Sequence, residues 1–411
     1  MNFRIQIILI LCCLLASHHV GFSQTYDLIL KGGRVIDPAS GTNERLDVAI
    51  SGTKIVAITK SIPVSEGKKV IDVSGLIVAP GLIDLHTHVF TGGKTDTFAD
   101  GNLSVMADAF SFRSGVTTVV DAGTSGWNNF EKFKSDVIDK SQTRILAFLN
   151  IAGNGMSGNP EQQQLEQMDA EKTAALIKKY PEILVGVKIG HYEGKDTSPF
   201  LKSIDAANQS GTPLFVECHL PEYSLEWQLN QMRPGDIITH SFEQVNERMT
   251  ILDESGQLRN FVKSAQQKGL LFDLGHGGYG FWFNQAVGAY RQGLAPNTFG
   301  TDLHRFSMNA GMKNILNVMS KYLTMGMNQN DIIKRATWNA AQAIRRPDLG
   351  CLKVGGEADI AVLSIQKGNF GFVDAGGKRI NGHKKFESEL TIRSGKIMWD
   401  LNGRSATPFN K

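Results

Sequence analysis

This sequence of 411 residues has few cysteines and prolines and a small net charge, and each of these features excludes a class of protein. Two of the four cysteines, Cys12 and Cys13, fall in an N-terminal apolar run, and Cys218 and Cys351 lie far apart, so no disulfide framework can hold a small fold together. A net charge of +3 gives no global reason to expect nucleic acid or an anionic membrane as a partner. With 12 prolines, 41% hydrophobic and 20% charged residues, the composition excludes collagen, coiled coil and extended disorder.

Long apolar segments are scarce as well, and the run that stands out extends from Ile5 to Ala16. It is shorter than the roughly 20 residues that a membrane-spanning helix needs. The basic Arg4 precedes the run and small residues follow it near Gly21 and Ser23, which is the pattern of a secretory signal peptide. We therefore predict that residues 1–23 are a signal peptide, that no later segment spans a membrane, and that the mature protein is exported to the periplasm or secreted.

Short segments with the β pattern occupy both ends of the mature chain and are separated by Gly, Ser and Pro turns. They include Tyr26–Leu30 and Lys54–Ile58 near the start, and Asp359–Leu363 and Leu390–Arg393 near the end. We interpret residues 24–80 and 346–411 as one small β-sandwich domain built from both chain ends. Residues 81–345 are then inserted between its two halves.

The middle of the chain alternates strand and helix patterns. Helical stretches such as Met168–Tyr180 and Asn309–Met325 carry apolar residues three and four positions apart, and several candidate strands are continuous apolar runs, as expected of a buried parallel sheet. Eight such units in about 260 residues predict an α/β fold, a closed (β/α)8 TIM-like barrel. The alternative is a doubly wound open sheet, but Gly-x-Gly-x-x-Gly is absent after the first strand. The candidate strands are Gly81–His88, Val116–Ala122, Arg144–Ile151, Leu184–His191, Pro213–Leu220, Asp236–His240, Leu270–His276 and Thr298–Asp302.

Seven of the ten histidines stand at or just after the C-terminal ends of these predicted strands. Active sites of such barrels lie on that face. A single histidine on a strand is more often structural, but seven on one rim favour a partner that takes neutral nitrogen donors, such as a divalent metal. The seven residues are His86, His88, His191, His219, His240, His276 and His304.

Lys188 ends an apolar predicted strand, where burial of an ammonium group is costly. Burial lowers the pKa of a lysine and leaves a nucleophilic amine. Such an amine can add carbon dioxide and become a carbamate, whose two oxygens can bridge two metal ions. The alternative interpretation is a lysine that extends its amine to solvent at a strand end. Asp302, which ends the last predicted strand, could bind a metal and also move a proton.

Together these residues resemble the amidohydrolase superfamily, and more closely its amidohydrolase/deacetylase branch near the dihydroorotase-like enzymes. The resemblance covers nearly the whole mature chain and implies a site for two divalent metal ions, usually zinc. His86, His88 and Asp302 would hold one ion, the fifth- and sixth-strand ligands the other, and a carbamate on Lys188 would bridge them. The motifs that carry the resemblance are Ala79–His88, Gly115–Gly123, Lys188, Arg233–Ile237, His240, Phe272–Gly278, Thr301–His304, Ala336–Asn339 and Gly356–Ile360.

The end of the fifth strand departs from the family pattern, in which this position is usually a histidine. Here the chain reads Phe215-Val216-Glu217-Cys218-His219. By its distance to His240, Glu217 stands nearer the usual position, whereas His219 is the expected residue type, and both point to the same face. We favour His219 as the ligand, with Glu217 as a ligand or as the partner of one.

The function that the resemblance implies is hydrolysis of an amide, that is a non-peptide carbon–nitrogen bond, or of an ester in a small acylated substrate, as in a deacetylase. A hydroxide bridging the two metals would attack the carbonyl, and Asp302 would shuttle its proton to the leaving group. On the same rim, His191, His276, His304 and Arg305 are predicted to bind the substrate, and Arg305 could pair with a substrate carboxylate. Members of the family often form homo-oligomers.

Three rival functions remain open at this point. A cyclic amidase of the dihydroorotase or hydantoinase type would use the same metal site on a ring substrate. A deaminase would resemble a mononuclear site without the fourth-strand lysine, so Lys188 argues against it. A non-catalytic barrel scaffold would have lost ligands, whereas the sequence retains a full set.

Overall fold

The computed structural model describes residues 25–218, 223–245 and 248–409. The predicted signal peptide, residues 1–23, lies outside these ranges together with Cys12 and Cys13. The candidate ligand His219 also lies outside the described residues.

The described part of the chain alternates strands and helices through its middle and is rich in strands at both ends. Its strands are β1 (Tyr26–Asp37), β2 (Thr42–Ser51), β3 (Lys54–Thr59), β4 (Gly67–Asp72), β5 (Ile77–Pro80), β6 (Leu82–Thr87), β7 (Thr91–Lys94), β8 (Val116–Gly126), β9 (Arg144–Asn150), β10 (Leu184–Gly190), β11 (Leu214–Glu217), β12 (Ile237–Ile238), β13 (Leu271–Phe272), β14 (Ile360–Val373), β15 (Arg379–Arg393) and β16 (Lys396–Asp400). Its α-helices are α1 (Ala107–Phe110), α2 (Phe130–Asp136), α3 (Ala170–Lys179), α4 (Ser198–Ser210), α5 (Leu225–Gln231), α6 (Asn260–Lys268), α7 (Phe283–Arg291), α8 (Ile315–Thr324), α9 (Gln329–Ala336) and α10 (Trp338–Ala343). Short 3-10 turns cover Val64–Glu66, Phe112–Ser114, Ile138–Lys140, Glu161–Gln163, Leu165–Gln167 and Ser307–Asn309.

The middle of the chain forms a curled parallel sheet, which confirms the predicted TIM-like barrel. Seven strands pair in the order β13-β12-β11-β10-β9-β8-β6. Strands such as β10 are buried along their whole length, as their continuous apolar sequence predicts. The apolar side chains that fill the barrel interior come from alternate positions of these strands: Ile83, Leu85, Val120, Ala122, Leu146, Phe148, Val185, Phe215 and Ile237.

The segment 297–303 closes the barrel without forming the regular eighth strand that the sequence predicts over Thr298–Asp302. It is joined to its neighbours by single bridges, from Thr298 to Asp273 and from Leu303 to Thr87. The ladder is interrupted because acidic side chains take its backbone N–H groups. Gly300 N–H donates to Asp273 and Thr301 N–H donates to Asp84.

The long helix predicted over Asn309–Met325 begins only at Ile315 in the structure. The side chain of Asn314 accepts a hydrogen bond from the N–H of Asn317 and caps the first turn, as is common at helix N-termini. Just before the cap, Lys313 has a positive φ of 63°, which a helix cannot include. The polar cap thus starts the helix later than the apolar spacing alone suggests.

Strands from both chain ends belong to a separate sheet of eight strands, in the order β16-β15-β14-β5-β1-β2-β3 with β4 paired to β1. One face of this sheet encloses its own core, which draws on β1, β2, β14 and β15 among others. Pro80 ends β5 in this sheet and Leu82 begins β6 in the barrel, so the chain passes directly from one sheet to the other. Within the described residues no helix is long and apolar enough to cross a membrane.

Candidate metal centre

Three buried imidazoles converge at the C-terminal mouth of the barrel. His86 and His88 lie at the end of β6, and His240 follows β12. In each ring, Nδ1 contacts an oxygen atom on the side away from the mouth. Nδ1 of His86 lies 3.0 Å from Thr239 Oγ1, and Nδ1 of His88 lies 2.9 Å from Thr124 Oγ1. Nδ1 of His240 lies 2.5 Å from the carbonyl oxygen of Gly275. All three Nε2 atoms are therefore left to face the centre of the mouth, which is how proteins orient histidine ligands.

Two buried carboxylates face these nitrogens. Oδ1 of Asp302 lies 3.1 Å from Nε2 of His88 and 3.5 Å from Nε2 of His86. Oε1 of Glu217 lies 3.0 Å from Nε2 of His240, and its Oε2 lies 4.0 Å from Nε2 of His86. The donor atoms form two overlapping groups, each within 4.8 Å: His86, His88 and Asp302, and His86, Glu217 and His240.

The structure tests whether these residues suit a metal through the ring of His86. This ring is fully buried, yet its Nε2 has no hydrogen-bond partner among the described residues. A buried polar atom without a hydrogen-bond partner lowers the stability of the fold by about 1–3 kcal/mol, so a bound ligand at this atom would be favourable. Because Nε2 belongs to both donor groups and faces two carboxylates, imidazole and carboxylate donors fit a divalent cation here.

Lys188 lies at the base of the same cluster, with 1% of its surface exposed. Its Nζ donates to Oε2 of Glu217 and lies 4.7 Å from the centroid of the Phe215 ring. Gly123, with a positive φ of 81°, lies so close to the lysine stem that a Cβ there would collide with it. The packing aims the buried amine at the space between the ligands, so it does not extend to solvent.

The backbone is strained where several of these side chains enter the mouth. His191, His240 and Asp302 have φ values of 59°, 52° and 53°, a region that non-glycine residues seldom occupy. Such conformations tend to collect at functional sites, where they turn a side chain toward its task. Here His191 and His240 turn their side chains toward Glu217, and Asp302 turns its carboxylate toward His88.

The charges of the cluster shift the pKa values of its members. Burial lowers the pKa of His86 to about 4, so this ring is neutral at physiological pH. Burial also disfavours charge on His240, but the adjacent Glu217 carboxylate outweighs it and raises the pKa of His240 to about 9. Burial opposes ionisation of Asp302, yet the rings of His304, His86 and His88 lower the pKa of this carboxyl below its usual range. Two ionised carboxylates, Glu217 and Asp302, therefore lie within reach of the imidazole nitrogens of the mouth.

Buried polar residues that sequence reasoning did not identify hold the ligands in place. Asp273 accepts from Thr239 at 2.8 Å, and Thr239 in turn contacts His86. Asp121 accepts from the N–H of Thr124, behind His88. Asp84 accepts from Thr301, next to Asp302. An acidic residue within or next to an apolar strand was the sequence feature that could have identified them. The residue with which each one forms a hydrogen bond could not be predicted from the sequence.

The residues predicted to bind substrate are distributed unevenly around this centre. Nε2 of His191 lies 2.8 Å from Oε1 of Glu217, and Nε2 of His304 lies 3.6 Å from Oδ2 of Asp302, so both border the ligands. Arg305 is exposed and lies over the ring of Phe306. His276 is fully buried and pairs with Lys321, a residue that the sequence analysis did not single out.

Comparison with known proteins identifies relatives of this chain. The model of the amidohydrolase family matches residues 285–398. A deacetylase of Agrobacterium fabrum is 29% identical over 354 residues, which cover 84% of this chain and 85% of the relative.

Two solved structures are similar over nearly the whole chain. One, described as an adenine deaminase, has a TM-score of 0.82 and 27% identity, and covers 91% of this chain and 100% of its own. The other, described as a dihydroorotase, has a TM-score of 0.81 and 27% identity, and covers 90% of this chain and 98% of its own. The two solved structures are described by different activities on a similar fold, so the fold alone does not define the substrate.

Proposed function

Because the chain belongs to the amidohydrolase superfamily, a family of hydrolases, we propose that it is a binuclear metallohydrolase that removes an acyl group from a small amide or ester. The observation that carries this proposal is the pair of overlapping donor groups that share the unpartnered Nε2 of His86. The deacetylase from Agrobacterium fabrum, similar over most of its length, favours a linear acyl substrate.

Two divalent metal ions, most simply zinc, would be held by the residues of the mouth. His86, His88 and Asp302 would bind one ion, and Glu217 and His240 the other, with Lys188 between them. Ions at these positions supply Lewis acidity to the substrate carbonyl and lower the pKa of water. We propose Glu217 as the fifth-strand ligand because its Oε1 already faces Nε2 of His240.

Lys188 is proposed to carry a carbamate. Its amine, in the neutral form, attacks the carbon of carbon dioxide. A nitrogen–carbon bond forms, one carbon–oxygen π bond opens onto its oxygen, and Glu217 can accept the proton that the nitrogen releases and pass it to water. The product is an anionic group with two oxygen donors. The burial of the amine supports this step because it keeps the group away from bulk water and beside the ligand cluster. The amine is directed at Glu217 between the two donor groups, where a two-oxygen ligand could reach both.

Asp302 is proposed to move the proton. Its carboxylate, kept ionised by the surrounding imidazoles, can accept a proton from the attacking water and deliver it to the leaving nitrogen or oxygen. Nε2 of His304 lies 3.6 Å from Oδ2 of Asp302 and can help to orient this carboxylate. Arg305, exposed beside the mouth, can pair with a carboxylate on the substrate.

A cyclic amidase is the second candidate, because the similar solved structure described as a dihydroorotase suggests ring opening in the same mouth. A screen of zinc-loaded protein against N-acyl amino acids, O-acyl hydroxy acids, cyclic amides and aminopurines separates the candidates. Release of acetate or another acid from linear substrates supports the deacylase. Turnover confined to cyclic amides or to purine deamination overturns it, and a folded protein that binds no zinc favours a scaffold.

We also propose that the protein acts outside the cytoplasm. The support is the basic start, the short apolar run and the small residues of positions 1–23. N-terminal sequencing of the protein from the periplasm or medium should begin near Ser23 or Gln24. An intact Met1 would contradict export by a cleaved signal peptide.

A further inference from the structure

Lys321 is a fully buried lysine on helix α8, outside the metal cluster. Its Nζ lies 2.5 Å from Nε2 of His276 and donates to the carbonyl oxygen of Gly311 at 2.8 Å. Among the described residues no carboxylate forms an ion pair with it, and Asp374 acts on it only through space. Burial of an amine without a counter-ion costs free energy, so this position has to be explained.

His276 receives the amine in a defined tautomer. Burial lowers the pKa values of Lys321 and His276 well below their usual ranges, so the His276 ring is neutral. Nε2 of His276 accepts from the amine, and Nδ1, which then carries the hydrogen, lies 3.1 Å from the carbonyl oxygen of Gly277. The ring also stacks on Phe281 at 5.0 Å, which leaves it little freedom to turn.

The backbone of the turn Gly275–Gly277 carries the effect of this pair to the mouth. The carbonyl oxygen of Gly275 accepts the hydrogen bond from Nδ1 of His240. Gly277, at a φ of 42°, lies against the carboxylate of Asp302, where a Cβ would collide with Oδ2. The N–H groups of His276 and Gly277 also donate to the carbonyl oxygens of Gly300 and Thr301, just before Asp302. One short turn therefore orients a ligand of each donor group.

We propose that Lys321 is a positioning residue: by fixing His276 and the turn Gly275–Gly277, it aims His240 and Asp302 at the metal ions. This inference rests on the proposed function because that function supplies the metal ions. The contacts of Lys321 and His276 do not depend on it. It assigns His276 to the support of the ligands, in place of the substrate contact that the sequence predicted. The substrate-facing histidines are then His191 and His304.

Zinc binding by the variants Lys321→Met and His276→Phe tests the proposal. Methionine keeps the volume of the buried chain without its donor, and phenylalanine keeps the stacking on Phe281 without the acceptor. Each variant should bind zinc about 10–100-fold more weakly in a chelator competition, the usual cost of losing an outer partner of a ligand. The matched control is Met319→Leu, a buried change on the same helix that removes no polar group, and this variant should bind zinc normally.

The double variant Lys321→Met/His276→Phe should lose no more affinity than either single variant, because both act through one contact. Wild-type affinity in Lys321→Met, or losses that add in the double variant, would overturn the positioning role. If one of the two single variants does not fold, the zinc affinity of the remaining one is compared with that of Met319→Leu. Wild-type zinc affinity in the remaining variant would also overturn the positioning role.

A measurement on the metal-free protein separates this inference from the proposed function. In histidine-labelled wild-type protein, long-range nitrogen–proton correlations should show His276 with its hydrogen on Nδ1. Lys321→Met should shift the ring signals of His240, whereas Met319→Leu should not. If the His240 signals do not change in Lys321→Met, the positioning role of Lys321 is overturned even if the wild-type protein binds zinc. If the wild-type protein does not bind zinc, the proposed function is overturned, but a shift of the His240 signals would still support the positioning role.

Discussion

The barrel carries a polar cluster at each end, and only one of them resembles a site. At the N-terminal end, Arg144 of β9 pairs with Asp359 at 2.5 Å, and Arg393 of β15 pairs with the same carboxyl at 3.1 Å. Glu357 lies beside Arg393 and also pairs with Lys54 at 3.5 Å, so both carboxylates of this cluster already have cationic partners. This cluster ties the barrel to the β domain and needs no ligand to pair its charges.

The cluster at the C-terminal mouth is built differently. Its imidazole nitrogens point at one another and at two carboxylates, and the backbone at His240 and Asp302 adopts a left-handed conformation. The unpartnered Nε2 of His86 lies at its centre. The comparison teaches that a buried polar cluster indicates function when its donor atoms converge and one of them lacks a hydrogen-bond partner. It indicates a structural role when its charged groups are already paired with one another.

Asp302→Asn tests the mouth cluster with the largest expected effect. Turnover should fall by about 100–10,000-fold, the range associated with loss of a general acid–base group. Most metal should remain, because the amide oxygen can still coordinate. Steady-state kinetics and metal analysis on the same preparation check this, and near wild-type turnover would remove Asp302 from the proton-transfer role.

Lys188→Met should abolish most metal binding because the amine that forms the carbamate is lost. A small carboxylic acid such as acetate, added at high concentration, should restore part of the metal and part of the activity by occupying the vacated space. Mass spectrometry of native wild-type protein should show one added carbon dioxide. Full metal content in the variant without acetate would contradict the bridging role.

Glu217→Gln and His219→Gln decide which residue serves at the fifth strand. Loss of a residue that only hydrogen-bonds to a ligand weakens metal binding by about 10–100-fold. If Glu217 is itself the ligand, Glu217→Gln should weaken the binding of one ion by more than this. His219→Gln should then retain both ions. The reverse pattern, measured by titration with zinc and a competing chelator, would return the ligand role to His219.

Arg144→Met should sharpen the comparison from the other end of the barrel. It leaves Asp359 with one cation fewer, and we expect a loss of about 1–3 kcal/mol in the free energy of unfolding. Turnover and metal content should stay at wild-type values, because the cluster lies at the opposite end of β9 from the mouth. A large fall in zinc affinity would break the distinction between the two clusters.

The sequence was sufficient for the features that depend on strand periodicity. Continuous apolar runs predict the buried strands, and the position of His86, Lys188, His240 and Asp302 at strand ends predicts that they meet, because all parallel strands end at one face. The pairing of β5 with both β1 and β14, which joins strands from the two chain ends in one sheet, also follows from the β pattern at both ends.

What could not be predicted depends on contacts between distant segments. The irregular closing segment follows from Asp273 and Asp84 taking backbone N–H groups, and the late start of α8 follows from its Asn314 cap. The pairing of Lys321 with His276 joins positions 45 residues apart, and neither strand nor helix spacing relates them. Residues that orient the ligands were therefore harder to identify than the ligands themselves.

Anomalous diffraction above and below the zinc absorption edge, on crystals of the wild-type protein grown with zinc, tests the central claim most directly. The account predicts two peaks about 3.5–4 Å apart, the usual spacing in two-metal sites. One peak should lie among His86, His88 and Asp302 and the other beside Glu217 and His240, with electron density for a carbamate on Lys188 between them. A single peak, or none, with an unmodified lysine at position 188 would contradict it.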